Sequence, residues 1–278
     1  MPFIPRAEVT RRLRAQIDAG VPIVGCGAGT GISAKMAEAG GADMAIIYNS
    51  GRYRMAGRGS LAGLMAYGDA NGIVVEMAAE VLPVVKNMAV LAGINGTDPF
   101  RMMKVFVRQL KEMGFDGVQN FPTVGLIDGD FRKNIEATGM GYDKEIEAIS
   151  EADKADMFCS PYVFDPDQAK AMVEAGADQL VCHVGLTTAG SIGAGVAFTL
   201  DQAIDKVMAM AEAGKSARKD VIVLCHGGPF DEPAQVGQAL LRMPGIHGFF
   251  GASSVERLPT ERAIKGQVEE FKKLSVAR

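Results

Sequence analysis

The chain has only three histidines, and two of them close apolar runs with nearly the same wording: Val181-Cys182-His183-Val184-Gly185 and Leu224-Cys225-His226-Gly227-Gly228-Pro229. Successive side chains of a strand point to opposite faces, so within each Cys-His pair only one faces inward. If the histidines do, two imidazoles that titrate near neutrality meet at one place, as a proton shuttle or a metal pair. One strand histidine alone reads as structural. Two at matching strand ends point to chemistry. Matching motif position does not fix equal height, because barrel strands are staggered. His247 stands near the start of the following strand, at the wrong end, and reads as structural.

Three arginines lie among glycines in residues 49–60 (NSGRYRMAGRGS) of an acidic chain. The planar guanidinium suits bidentate capture of carboxylate or phosphate, so Arg52, Arg54 and Arg58 read as a mobile anion clamp, with Arg52 or Arg54 supplying the field over an oxyanion. A solvated loop or a subunit contact would use the same charges. A second anion seat is expected where backbone N–H groups are exposed in the turns Gly227-Gly228 and Gly251-Ala252-Ser253-Ser254. Ser253 also has capping-box spacing to Glu256. Residues 25–31 (GCGAGTG) include Gly29-x-Gly31-x-x-Ala34, the dinucleotide fingerprint. That motif needs an acidic residue closing the second strand, and the strand here ends Tyr48-Asn49-Ser50. Gly27 and Gly29 therefore read as a tight turn or as backbone approaching a small ligand. Asn49, Asn95, Asn120 and Tyr162, at or near the ends of strands two to five, are expected to line the pocket.

These residues must be held by something, and the chain says how. Three helices end alike, at Ala39-Gly40-Gly41-Ala42-Asp43, Met113-Gly114-Phe115-Asp116 and Ala175-Gly176-Ala177-Asp178, each followed by an apolar run. Glycine turns the chain at positive φ and the aspartate precedes a buried parallel strand. Eight strands are expected, over 22–27, 43–49, 89–95, 117–122, 157–163, 179–185, 221–226 and 245–251, with helices between them. Asp98-Pro99, Asp165-Pro166 and Thr199 with Gln202 read as helix starts. The pattern matches a (β/α)8 TIM barrel in one domain, better than a doubly wound open sheet. Residues 1–20 form an extra N-terminal helix, 21–254 the barrel, and 255–278 a C-terminal helix extension. Pro259 is expected to interrupt that extension, so that a separate helix begins at Thr260. Its apolar stripe, Ile264, Val268, Phe271 and Leu274, is expected to be covered by a second copy in a homo-oligomer.

The 278 residues are 48% hydrophobic with a net charge of −4, enough for one large core and no electrostatic invitation to nucleic acid. No long apolar run suggests a signal peptide or a membrane span, so a cytoplasmic protein is expected. The four cysteines are widely spaced and read as buried apolar residues in a reducing compartment.

Residues 24–31 (VGCGAGTG), 48–54 (YNSGRYR) with 67–71 (YGDAN), and 119–123 (QNFPT) resemble the phosphoenolpyruvate hydrolase-like family of TIM barrels. Its members carry the label TIM-barrel signal transduction protein, and a related barrel forms the C-terminal half of a plant antiviral resistance protein. The resemblance implies kinship with phosphoenolpyruvate mutase and phosphonopyruvate hydrolase enzymes, which hold Mg²⁺ with acidic residues at the ends of middle strands. Here those ends read Asn95-Gly96-Thr97-Asp98 and Gln119-Asn120-Phe121-Pro122, so Mg²⁺ is possible but its ligands are not evident. The expected function is hydrolysis or lysis at a C–P, C–C or enol-phosphate bond of a small anionic metabolite, with His183 and His226 moving protons. The other reading is a barrel that senses a small anion or a protein partner without chemistry.

Overall fold

The computed structural model describes residues 3–195 and 198–277. In it the repeated aspartates start the sheet. Asp43, Asp116 and Asp178 each give their backbone N–H to a carbonyl of the neighbouring strand, at Val24, Val90 and Cys159. Each carboxylate then accepts the N–H of that same residue, at 2.8, 2.8 and 2.9 Å. One more rung is thereby added below each parallel ladder. The N-terminal segment takes up the remaining acceptor capacity: Ile4 N–H donates to Asp116 at 2.6 Å, Gln16 to Asp43 at 3.3 Å, and Arg6 to Asp178 at 3.0 Å. A buried donor left without its acceptor costs about 1–3 kcal/mol, so the buried Ile4 contact ties the segment before the helix to the strand starts, alongside the helix's own buried Val9 and Leu13. The expected glycine caps occur at Gly41, Gly114 and Gly176, with φ of 89°, 102° and 107°. In the first motif it is the second glycine that turns, since Gly40 stays helical at −79°.

Nine strands follow: β1 (Ile23–Ala28), β2 (Met44–Ile47), β3 (Ala89–Gly93), β4 (Gly117–Gln119), β5 (Phe158–Cys159), β6 (Tyr162–Val163), β7 (Gln179–His183), β8 (Ile222–His226) and β9 (Gly248–Gly251). They form one parallel sheet in the order β5-β4-β3-β2-β1-β9-β8-β7-β6, almost wholly buried on both faces. The expected count was eight. The difference is the stretch 157–163, divided into β5 and β6 at Ser160-Pro161, where proline has no N–H for a ladder. Hydrogen bonds still cross it: Ser160 N–H donates to Val118 on the β4 side, and Pro161 accepts from Val181 of β7. The sheet is a curled, TIM-barrel-like one.

Among the described residues there are eleven α-helices: α1 (Arg6–Asp18), α2 (Gly31–Ala39), α3 (Asn49–Met55), α4 (Ala70–Val81), α5 (Met103–Met113), α6 (Gly129–Ala137), α7 (Tyr142–Lys154), α8 (Pro166–Glu174), α9 (Leu200–Ala217), α10 (Pro233–Arg242) and α11 (Arg257–Lys272). None is long and apolar enough to cross a membrane. Asp165 caps α8 through Gln168 N–H, and Thr199 and Gln202 form a full capping box on α9. Two expected starts differ. Helix α5 begins at Met103, because the Asp98 carboxylate is drawn to Phe100 N–H, Asn71 and Arg101. Helix α11 is not interrupted at Pro259, which lies in its first turn, where a proline has no intrahelical bond to lose. Only Arg257 and Leu258 of α11 are buried, and Ile264, Val268 and Phe271 are 64%, 55% and 63% exposed.

Candidate functional site

Parallel pairing of β7 with β8 puts His183 opposite His226 in register, so the two strand ends do stand at equal height. Both rings turn inward. Their centroids are 4.6 Å apart and lie 5.2 and 4.9 Å from the Tyr162 ring. His226 Nδ1 is 2.5 Å from the Phe250 carbonyl, which can only accept, so the proton sits on Nδ1 and Nε2 keeps a lone pair. His183 is the reverse: its Nδ1 accepts the Gly185 N–H at 3.1 Å, which leaves the proton on Nε2. Burial holds both rings neutral. It pushes His226 down to about 4, and it carries His183 well below the ordinary histidine value, with the neighbouring His226 adding to the effect. One neutral imidazole thus offers a base and the other an acid. The four cysteines are buried and unpaired, and His247 accepts the Val223 N–H at 2.9 Å, a structural contact.

The pair opens on a cavity of about 170 Å³, walled by Tyr48, Phe121, Tyr162 and Ser253 and roofed by Leu186 and Ile192 of the segment after β7. The Tyr162 hydroxyl has no hydrogen-bond partner among the described residues, and burial pushes it well above the usual phenol range. Asn120 does not line this cavity. Its side chain accepts the Tyr162 N–H at 2.6 Å and donates to Glu145 at 2.6 Å, which positions Tyr162. Glu145 is fully buried, also accepts Val124 N–H at 2.7 Å, and is raised by desolvation to about 7. Asn49 and Asn95 line a separate groove of about 830 Å³ with Asp69, Asp98 and Arg101. Asn49 is tied to the Gly63 carbonyl, and the Asn95 N–H to Asn71. The four expected pocket residues are therefore not one wall.

The arginine clamp is corrected by the fold. Residues 49–55 are helix α3, and Arg54 is fully buried on Glu256 at 2.5 Å, with a further bond to Tyr48 Oη at 3.1 Å. Arg52 pairs with Glu76 at 2.6 Å on the surface. Gly27 and Gly29 make room for this knot rather than for a ligand. A Cβ on Gly27 would sit 2.9 Å from Tyr48 Oη, one on Gly29 2.0 Å from the Gly51 carbonyl, and the Gly29 N–H is already given to Glu256 at 2.6 Å. Gly227 and Gly228, at φ 79° and 57°, seat the β8 turn on Gly185, which accepts the Gly228 N–H at 3.0 Å. A side chain on Gly251 would strike Val255, so this glycine too serves packing. Ala252 and Ser253 reach the cavity, and Ser254 does not line it. Glu256 leaves no capping bond on α11 because its carboxylate belongs to Arg54.

The charged residue in the cavity wall was not expected. Arg257 is only 4% exposed and donates to the Ala189 carbonyl at 2.8 Å and to Glu261 at 2.9 Å. Its Nε is buried without a partner among the described residues. Sequence reading sees an arginine four residues before a glutamate, the mark of a solvated helix pair. The missed signal is its place, directly after the 251–254 turn. For a metal the residues do not fit. Among the described residues no group of three or more His, Cys, Asp or Glu is placed to hold one, and Asp98 and Glu145 already spend their oxygens on Asn71 and Arg101 and on Asn120 and Val124.

A family model described as phosphoenolpyruvate hydrolase-like matches residues 8–274. The ToMV resistance protein Tm-1(GCR237) of Solanum lycopersicum is 57% identical over 271 residues, 98% of this chain but 36% of that protein, so the match is shorter than half of it. Among solved structures, the phosphoenolpyruvate phosphomutase of Streptomyces platensis subsp. rosaceus superposes with a TM-score of 0.59 at 18% identity, covering 95% of this chain and 87% of that one. A phosphonopyruvate hydrolase solved with oxalate and Mg²⁺ gives 0.58 at 15% identity, covering 95% and 88%. At these identities the likeness is one of fold.

The buried Glu145 gives a signed pH dependence. Its affinity for a proton is higher folded than unfolded, so its share of stability is complete below the usual glutamate range and is lost as pH rises through about 7. The two buried histidines slope the other way, since their folded values are depressed. Urea midpoints of wild type and Glu145→Gln between pH 4.5 and 7.5 separate the two: the variant should lack the fall that the wild type shows relative to it. Parallel curves would mean that Glu145 is ionised throughout.

Proposed function

The chain belongs to the phosphoenolpyruvate hydrolase-like family, and we propose that it is an enzyme acting on a small carboxylated or phosphorylated metabolite of the pyruvate type, with His226 and His183 as its proton-transfer pair. The observation that carries this reading is the opposed tautomers of two adjacent, neutral imidazoles. Breaking a C–P, C–C or enol-phosphate bond beside a carbonyl develops charge on an oxygen and needs a proton taken and a proton given. His226 Nε2 is the acceptor, from water or substrate. His183 Nε2–H is the donor to the developing oxyanion. A cavity of about 170 Å³ suits a ligand of a few carbons and is below the size that takes drug-sized molecules. The names of the structural neighbours, a phosphomutase and a phosphonopyruvate hydrolase, support the substrate class. In the same reading β5 and β6 are one stave interrupted at Pro161, which gives the barrel eight.

A second reading, a binding barrel without turnover, is favoured by one observation: Arg54, a fully buried charge, is consumed by Glu256 instead of facing a ligand. Phosphorus NMR of the wild type incubated with phosphoenolpyruvate and with phosphonopyruvate separates the two. Product should form, and His226→Ala should lower kcat at least about 100-fold with an unchanged melting curve. Full activity in the variant would remove His226 from the mechanism, and binding without product would favour the sensor.

We also propose that two or more copies associate through α11, whose stripe at Ile264, Val268 and Phe271 finds no cover among the described residues. Light scattering after gel filtration should return a multiple of 29.4 kDa at micromolar concentration, and the single-chain mass would contradict it.

A further inference from the structure

Among the described residues Arg257 is the arginine in the cavity wall, and its hydrogen bonding is incomplete. Its guanidinium lies at the start of α11, 4% exposed, in the wall that also carries Ser253 and the two histidines. Nη1 is spent on Glu261 and one Nη2 proton on Ala189, but Nε–H faces no acceptor among the described residues. Leaving such a donor unmatched beside a full positive charge is costly, and a folded protein keeps the arrangement where something else supplies the oxygen. The Nε–Nη2 edge is the fork that takes a carboxylate or a phosphate side-on. Beside it the turn before α11 adds a donor, because the Ser253 N–H, in the same wall, has no acceptor among the described residues. The Ser253 and Ser60 hydroxyls, 3.4 Å apart, border the same space.

We propose that Arg257, with Ala252 and Ser253 of the turn before it, is the anion seat of the cavity, taking one carboxylate or phosphate oxygen pair of the ligand on its Nε–Nη2 edge. This rests on the cavity being the ligand site of the reading above and assigns which residue holds the ligand's charge, a role that neither Arg52 nor Arg54 can fill. The seat also reaches the roof. Ala189 and Ser191 belong to the segment after β7, and Ser191 is held by Glu261, the carboxylate that pairs with Arg257. Through Ala189 and Glu261 the seat is thus hydrogen-bonded to the roof segment.

The test follows the Arg257 Nε–H resonance in nitrogen-15 spectra of the full-length wild-type chain, assigned by its disappearance in Arg257→Lys. Inorganic phosphate, pyruvate and phosphoenolpyruvate are each titrated in. At least one should shift that resonance saturably, and calorimetry should show a tenfold or greater loss of affinity for the same anion in Arg257→Lys. His226→Ala should still bind it, so a failed catalytic reading and a failed anion seat give different results. If phosphate binds and pyruvate does not, the seat is for phosphate; the reverse makes it a carboxylate seat. A resonance that none of the three moves, or unchanged affinity in Arg257→Lys, would overturn the proposal. Should the lysine variant unfold, the wild-type titration alone decides, with the resonance assigned through Glu261→Gln, which alters its neighbour and leaves Nε–H in place.

Discussion

Arg54 and Glu256 stand 202 residues apart in the chain and meet with side chains 0% and 2% exposed. Two charges taken out of water are tolerated only when their remaining donors and acceptors are met, and here they are. Glu256 receives Arg54 Nε and Nη2 on one oxygen and the Gly29 N–H on the other, while Arg54 Nη1 reaches Tyr48 Oη. The knot joins the end of β1, the helix after β2 and the turn after β9. It sets Tyr48 in the cavity wall and fixes the turn from which Ser253 and Arg257 enter it. A side chain on Gly29 would strike the Gly51 carbonyl, and one on Gly27 would press on Tyr48 and Arg54.

That knot also explains what the sequence could and could not tell. Ser253 and Glu256 have the spacing of a capping box, and Arg54 has the look of a ligand clamp. The same carboxylate cannot serve both ends. A missing cap costs about 1 kcal/mol, whereas a buried arginine stripped of its partner costs about 3–5 kcal/mol, so the ion pair wins. Sequence shows the charge but not a partner 202 residues away. Local chemistry was legible for a matching reason: Asp165 and Thr199 cap helices that begin within three residues of them, and the Gly-x-Asp motifs act on the adjacent strand. His183 and His226 were legible as a pair because parallel register preserves the matching of their strand ends. Asn120 was misread as pocket lining because nothing near it in sequence announces Glu145, its buried acceptor. Pro161 was visible, yet its effect on the strand count needed the two neighbours that bond to either side of it.

The mouth of the barrel is thus divided. In the groove near β2–β4 Asp69 and Asp98 are both on Arg101 and Asn49 and Asn71 are on backbone groups, and Gln119 Oε1 at the end of β4 is the buried atom left without a partner there among the described residues. Near β6–β9 the Tyr162 hydroxyl and the Arg257 Nε–H find no partner among the described residues, and His226 Nε2 keeps its lone pair. Unmet hydrogen-bonding capacity in a buried wall is where a ligand has most to give, and the functional reading concentrates there for that reason.

The claim at the centre is that the two imidazoles are neutral and of opposite tautomer when the protein is empty. Long-range nitrogen-15 correlation spectra of the histidine rings at pH 7 read this directly, with single His→Gln variants for assignment. His226 should show a protonated Nδ1 and a bare Nε2, His183 a bare Nδ1 and a protonated Nε2, and His226 should carry no second proton down to about pH 5. Two rings in the same tautomer, or either one cationic at pH 7, would contradict it.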